Sequence, residues 1–287
     1  MIGLFRALGS LPLWLNHKLG FALGWLAWLL SRRHRHYTRD NLAQFGRSTH
    51  QTISAALRHA VIAEQGRSIT ELAIAWTATP EHLYSLVREC EGWQHVSAAQ
   101  AAGRPLIMVT PHLGCFDIAG RYLTSRLPIT AMYRPPKQKW LEPIMQQGRA
   151  RAGAATATAD VAGVRALLRT LKGGGNVALL PDQVPGGGDG VWVDFFGKPA
   201  YTMTLLPRLA RSTKAVVLFF FAERLARGAG YRIHIMAMPE EFSADRKIAA
   251  GQMNSMVEKL IAMAPAQYLW SYNRYKQPAG APPQDGG

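Results

Sequence analysis

Only two cysteines, Cys90 and Cys115, occur in the 287 residues. That excludes a disulfide framework and fits a reducing compartment. The nine histidines are scattered, with His34 and His36 inside a basic run, so no metal site is expected. Acid is scarce as well: 18 aspartates and glutamates stand against 33 lysines and arginines, a net charge of +15. Such an excess calls for a negatively charged partner. Many of the arginines are interleaved with apolar residues and form no long basic arm, which favours an anionic membrane face or a phosphorylated substrate over nucleic acid. No G-x-S-x-G elbow is present, so the usual serine hydrolase site is missing. There is no internal repeat. With 48% hydrophobic and 18% charged residues, a large core is available and wholesale disorder is excluded.

The longest apolar stretch lies at the start. Residues 1–30 carry Trp14, Trp25 and Trp28 among leucines, broken at Asn16-His17-Lys18. Leu19 to Leu30 is too short for a bilayer crossing, which takes roughly 20 residues. Counting from Leu8 would reach far enough but would have to accommodate Lys18. Ser31-Arg32-Arg33-His34-Arg35-His36 follows as a basic flank of the kind found on the cytoplasmic side. Tryptophans and leucines ending in arginines suit an interfacial or signal-anchor helix, and no small-residue cleavage site follows. Residues 1–36 are therefore expected to be a membrane-associated helix, 37–276 a globular domain, and 277–287 a disordered tail.

From Tyr37 to Cys90 the pattern is helical: Ile53, Leu57 and Val61, then Ile69, Leu72, Ala73 and Trp76, recur at three- and four-residue intervals. Thr79-Pro80-Glu81 marks a helix start. Strands and helices alternate from Arg104. Strands are expected at Pro105–Thr110, Ile129–Tyr133, Val177–Leu180, Ala215–Phe221 and Tyr231–Met236. Helices are expected over Phe116–Ser125, Trp140–Arg151, Val161–Lys172, Met203–Ser212 and Ile248–Met263. This alternation predicts an α/β fold with a mixed, largely parallel central sheet covered by helices on both faces. Gly186 to Gly190 lacks the strand-to-helix setting of a nucleotide-binding fingerprint and reads as a loop bordering a site.

Thr110-Pro111-His112-Leu113-Gly114-Cys115-Phe116-Asp117 organises the rest. It follows a buried strand and leads into a helix, the place where open α/β sheets put their chemistry. His112 and Asp117 are five positions apart, too far to stack on one helical face, but Gly114 allows the turn that would bring them together. A neutral imidazole can take a proton from a hydroxyl while a carboxylate fixes its tautomer. No serine lies nearby, so the hydroxyl would belong to a substrate. The alternative is a satisfied, buried histidine followed by an aspartate capping the next helix.

Four segments together resemble the bacterial lipid A biosynthesis acyltransferases. They are His112 to Asp117; Tyr133-Arg134-Pro135 with the basic Gly148 to Gly153; Pro181-Asp182-Gln183 with Phe195-Phe196-Gly197-Lys198-Pro199 and Leu209 to Thr213; and Gln267-Tyr268-Leu269-Trp270 with Arg274 and Lys276. The resemblance implies transfer of a fatty acyl group from an acyl carrier protein or coenzyme A thioester to a lipid hydroxyl, with no resident cofactor. It places the protein at the inner membrane, its catalytic domain on the cytoplasmic face. His112 would be the general base, Asp117 its orienting acid, and Arg149 the first choice, ahead of Arg134, to hold the oxyanion. Tyr133, Arg134, Arg151, Asp182 and Gln183 would contact substrate, as would Phe195 and Phe196 if they line the acyl groove and not the core. Two departures stand out: Asp117 where the family often has glutamate, and Cys115 where asparagine is common. The second leaves open an acyl-cysteine intermediate. Other acceptors, a thioesterase or lipase, and a non-catalytic basic membrane binder remain as rival readings.

Overall fold

The computed structural model describes residues 2–136, 138–150, 155–186 and 188–284. Helices α1 (Ile2–Gly9), α2 (Leu13–Leu30), α3 (Arg32–Ser48), α4 (Ala55–Thr77) and α5 (Pro80–Leu86) come first. Then follow β1 (Val87–Glu91), α6 (Trp93–Ala101), β2 (Leu106–Val109), α7 (Phe116–Thr124), β3 (Ile129–Tyr133) and α8 (Glu142–Ala150). After them come β4 (Ala155–Thr158), α9 (Val161–Lys172), β5 (Asn176–Leu179), β6 (Gly190–Phe195) and β7 (Lys198–Met203). The last elements are α10 (Leu205–Thr213), β8 (Val216–Arg224), β9 (Tyr231–Ala237) and α11 (Arg246–Met263).

The described residues build one seven-stranded sheet in the order β1-β9-β8-β2-β5-β3-β4 and a separate β6–β7 hairpin. Only β8 and β9 pair antiparallel within the large sheet. Central strand β2 is buried along its whole length, as an uninterrupted Leu-Ile-Met-Val run in a parallel sheet should be. Its alternate residues feed two cores. Ile107 and Val109 join Leu167, Met253 and Leu260 on one face, while Leu106 and Met108 join Ile118, Leu123 and Leu83 on the other. The expected sheet with helices on both faces is present.

Four strands were not legible: β1, β4 and the two of the hairpin. In β1, Val-Arg-Glu-Cys-Glu, and in β4, Ala-Thr-Ala-Thr, too little apolar surface marks the strand. The hairpin turns at Phe196-Gly197, where both residues adopt positive φ, 50° and 66°.

Helix α2 lies against α4. A Cβ on Gly24 would run into the Ile62 carbonyl, and one on Gly66 into that of Gly20, so glycines set this close crossing. The buried side of α2 includes Asn16 and His17. Asn16 Nδ2 donates to Thr70 O at 3.1 Å, and His17 Nε2 lies 2.6 Å from Glu71 Oε1. The polar break in the apolar run is thus a buried seam to the domain. Outward-facing side chains stay apolar, with Leu26 51% and Leu29 66% exposed. Among the described residues no helix is long and apolar enough to cross a membrane. Helix α3 runs without interruption through residues 36 and 37. In the segment expected to form a tail, Pro282 O accepts a hydrogen bond from Trp192 Nε1 at 2.9 Å; residues 285–287 lie outside the described chain.

Candidate active site

Strands β2 and β5 are parallel neighbours, with Val109 opposite Leu179. His112 stands three residues beyond the first and Asp182 three beyond the second, so the two loops leave the sheet side by side. His112 Nδ1 lies 2.8 Å from Asp182 Oδ1, and its backbone N–H donates to Asp182 Oδ2 at 2.9 Å. A carboxylate can only accept here, so Nδ1 carries the proton and Nε2 keeps its lone pair. Gln183 Nε2 sits 3.1 Å from that lone pair.

The loop is tightly stitched. Gly114 has φ +59°, and a Cβ there would meet the Ala222 carbonyl. Its N–H donates to Gln267 O at 3.1 Å, Cys115 N to Ala222 O at 3.0 Å, and Leu269 N to His112 O at 3.1 Å. The freedom expected of Gly114 serves this close approach to β8.

Burial is the largest influence on His112 and pushes its pKa down. The charge and hydrogen bond of Asp182, helped by the charge of Asp117, outweigh it, and the imidazole ends above its ordinary 6.5. For Asp182, burial works upward but the contacts with His112 win, holding the carboxyl below its ordinary value. The hydrogen bond expected from Asp117 is therefore made by Asp182. Asp117, buried in the first turn of α7, acts on the ring through its charge.

Tyr133 and Arg134 end β3, which pairs with β5, so three neighbouring strand ends gather His112, Asp182, Gln183, Tyr133 and Arg134 on one edge. Tyr133 OH accepts from Gln146 at 3.2 Å, and Arg134 is exposed. The side chain of Arg149, Arg151 and, in the glycine loop, Gly187 lie outside the described residues. Phe195 and Phe196 are each 2% exposed and belong to the core. Phe196 packs its ring 5.2 Å from Phe45 and 6.0 Å from Trp270, so the expectation that these rings contact substrate is corrected. Two residues quoted only within the C-terminal segment support Asp182. Buried Tyr268 stands beside it, and the buried guanidinium of Arg274 adds positive charge nearby while donating to Tyr201 O at 2.8 Å.

Beneath the loop, between α7 and the ends of β2, β3 and β5, lies a small, mostly apolar cavity of about 70 Å³. Phe116 and Asp117 border it together with Thr110, Gly120, Leu123 and Ile129. The ring of Phe116 stands 5.1 Å from that of His112.

The sequence model of the family described as bacterial lipid A biosynthesis acyltransferase matches residues 1–277. The chain belongs to that family. It is 28% identical to a lipid A biosynthesis lauroyltransferase of Escherichia coli K12, across 98% of this chain and 92% of that protein. With a palmitoleoyltransferase of lipid A biosynthesis from the same organism it shares 30% identity, across 95% of this chain and 91% of the relative. A lipid A biosynthesis acyltransferase of Haemophilus influenzae is also 30% identical, across 91% and 78% of the two chains.

In an acyltransferase, a thiol three residues from the imidazole would be a second place to carry an acyl group. Cys115 is 4% exposed, and burial, reinforced by the charge of Glu71, drives its pKa well above 9. The thiol stays protonated near neutrality and is a poor nucleophile.

Proposed function

We propose that the protein transfers a fatty acyl group from an acyl carrier protein or coenzyme A thioester to a hydroxyl of a lipid A precursor. The observation that carries this reading is the Asp182–His112 pair on the sheet edge beside the apolar cavity. His112 Nε2 takes the acceptor hydroxyl's proton as that oxygen attacks the thioester carbonyl, and Gln183 must give up its contact with Nε2 to admit the hydroxyl. Asp182 holds the tautomer and stabilises the imidazolium; Asp117 adds negative charge. The collapsing tetrahedral intermediate expels the thiolate, which takes the proton from His112. Arg149 and Arg134 are assigned to the oxyanion or to acceptor phosphate, both of which suit guanidinium donors. The protein works at the cytoplasmic face of the inner membrane, with the outward apolar side of α2 against lipid.

The test offers purified protein in detergent labelled acyl-carrier protein and acyl-coenzyme A, with a tetra-acylated lipid A precursor and a lysophospholipid as competing acceptors. Acylated lipid A precursor is the expected product. Acylated lysophospholipid would reassign the acceptor, and free fatty acid alone would replace transfer by hydrolysis.

Chain length is read in the cavity. Gly120 lines it, and a Cβ there meets nothing within 4 Å. Gly120→Leu therefore starts its side chain in open space and projects it into the cavity, and losing a mid-helix glycine favours folding. The variant is expected to lower kcat/KM for its best donor at least ten-fold and to shift preference toward shorter chains, since each methylene is worth about 1–3 kcal/mol of discrimination. Unchanged chain-length preference would place the acyl chain elsewhere.

A further inference from the structure

A second concavity opens between α2, α3 and α4, a groove of about 640 Å³. Trp25, Trp28, Leu42 and Ile62 supply apolar surface, and Arg39, Arg58 and His59 stand among them; no acidic side chain lines it. The Arg39 guanidinium lies over Trp28 at 5.2 Å, and the His59 ring meets Trp25 edge-on at 5.4 Å. Arg35 fixes the wall by donating to the carbonyls of Trp28 and Leu29 at the end of α2, at 2.6 and 2.8 Å. Arg67, Arg224 and Arg232 are spent on carboxylates. Arg39 and Arg58, both exposed, have no hydrogen-bond or carboxylate partner among the described residues.

Phe21, Trp25, Trp28 and Leu29 follow one another at helical spacing, so the groove continues the outward apolar side of α2. Its ligand must match oily surface and unpaired guanidinium forks at once. A free anion would leave the indoles idle, and an uncharged chain would leave the arginines unanswered. Tryptophan suits the depth at which headgroups meet acyl chains, and guanidinium matches phosphate oxygens bidentately.

We propose that this groove seats an anionic membrane phospholipid, its phosphate on Arg39 and Arg58 and the start of its acyl chains on Trp25 and Trp28, at a site separate from the acyl cavity. The inference rests on the membrane-facing reading of α2 and narrows it to a specific seat. Two exposed arginines facing lipid phosphate contribute about 1 kcal/mol each, or about thirty-fold in partitioning together.

The experiment measures co-sedimentation with phosphatidylglycerol–phosphatidylcholine vesicles and with pure phosphatidylcholine vesicles, at constant ionic strength. Arg39→Gln/Arg58→Gln is compared with Arg208→Gln/Arg211→Gln, an equal charge change on α10. The groove variant is expected to lose about thirty-fold in affinity for the anionic vesicles, the control less than about three-fold. Glycerol phosphate alone should not displace the protein. Equal losses in the two variants, or displacement by glycerol phosphate, would overturn the seat while leaving membrane attachment in place. Failure of the unaltered protein to bind either vesicle would overturn the membrane reading itself.

Discussion

Asp182→Asn is expected to lower turnover about 10⁴-fold while leaving the fold intact. The carboxylate accepts from both Nδ1 and the backbone N–H of His112. An asparagine can keep one acceptor but turns an NH₂ toward the other donor, so the ring loses the tautomer that leaves Nε2 free, an effect of about that size in a comparable triad. Asp117→Asn leaves those hydrogen bonds in place, so a much smaller loss is expected. The pH profile provides a second reading. A general base works when neutral, so kcat/KM falls as pH drops through the His112 pKa, which stands above 6.5. Either substitution removes negative charge that favours the imidazolium, lowers that pKa and moves the acid limb to lower pH. Should Asp117→Asn be the more damaging of the two, the orienting role would return to Asp117.

Arg224→Met is expected to destabilise the protein by about 3–5 kcal/mol, the usual penalty for leaving one buried ion without its partner. Arg224 donates through Nε and Nη2 to Glu71 at 2.6 and 2.7 Å, and through Nη1 to Glu64 at 2.6 Å. Glu71 also receives Tyr231 OH at 2.7 Å and faces His17. Burial alone would raise the Glu71 pKa, but Arg224 and His17 more than compensate and hold it at about 2, against an ordinary 4.5. A carboxyl depressed in this way stabilises the fold above its ordinary pKa, and that contribution fades as pH falls from 4.5 toward about 2. Without Arg224 the carboxyl's pKa climbs and the contribution shrinks at every pH above that window. Thermal melts in detergent at neutral pH should show a drop on the order of 10 °C. A melt unchanged from the parent protein would mean that packing, not this ion cluster, holds α2, α4 and β8 together.

The alternation of elements and the place of His112 at a strand end were legible because both are local: runs of apolar residues at strand length, and a histidine after one of them. Asp182 was visible as the end of another strand, but its partnership with His112 depends on β2 and β5 being neighbours in matching register, and sequence spacing does not show strand order. His112 and Asp117, close in sequence, drew attention away from the hydrogen bond that Asp182 makes to the ring. For Phe195 and Phe196 groove and core both stayed open, because aromatic character alone does not say whether a ring faces a cavity or a core. The buried seam of Asn16 and His17 looked like a defect in an apolar helix, since its answering groups, Thr70 and Glu71, lie on another element.

The stitching of the histidine loop to residues 267–269 also has a consequence for biosynthesis. The loop leaves the ribosome long before its clamp, so its hydrogen bonds to Gln267 and Leu269 stay unmade until the downstream segment arrives. Residues 112–114 therefore reach their final shape only once nearly the whole polypeptide has been made.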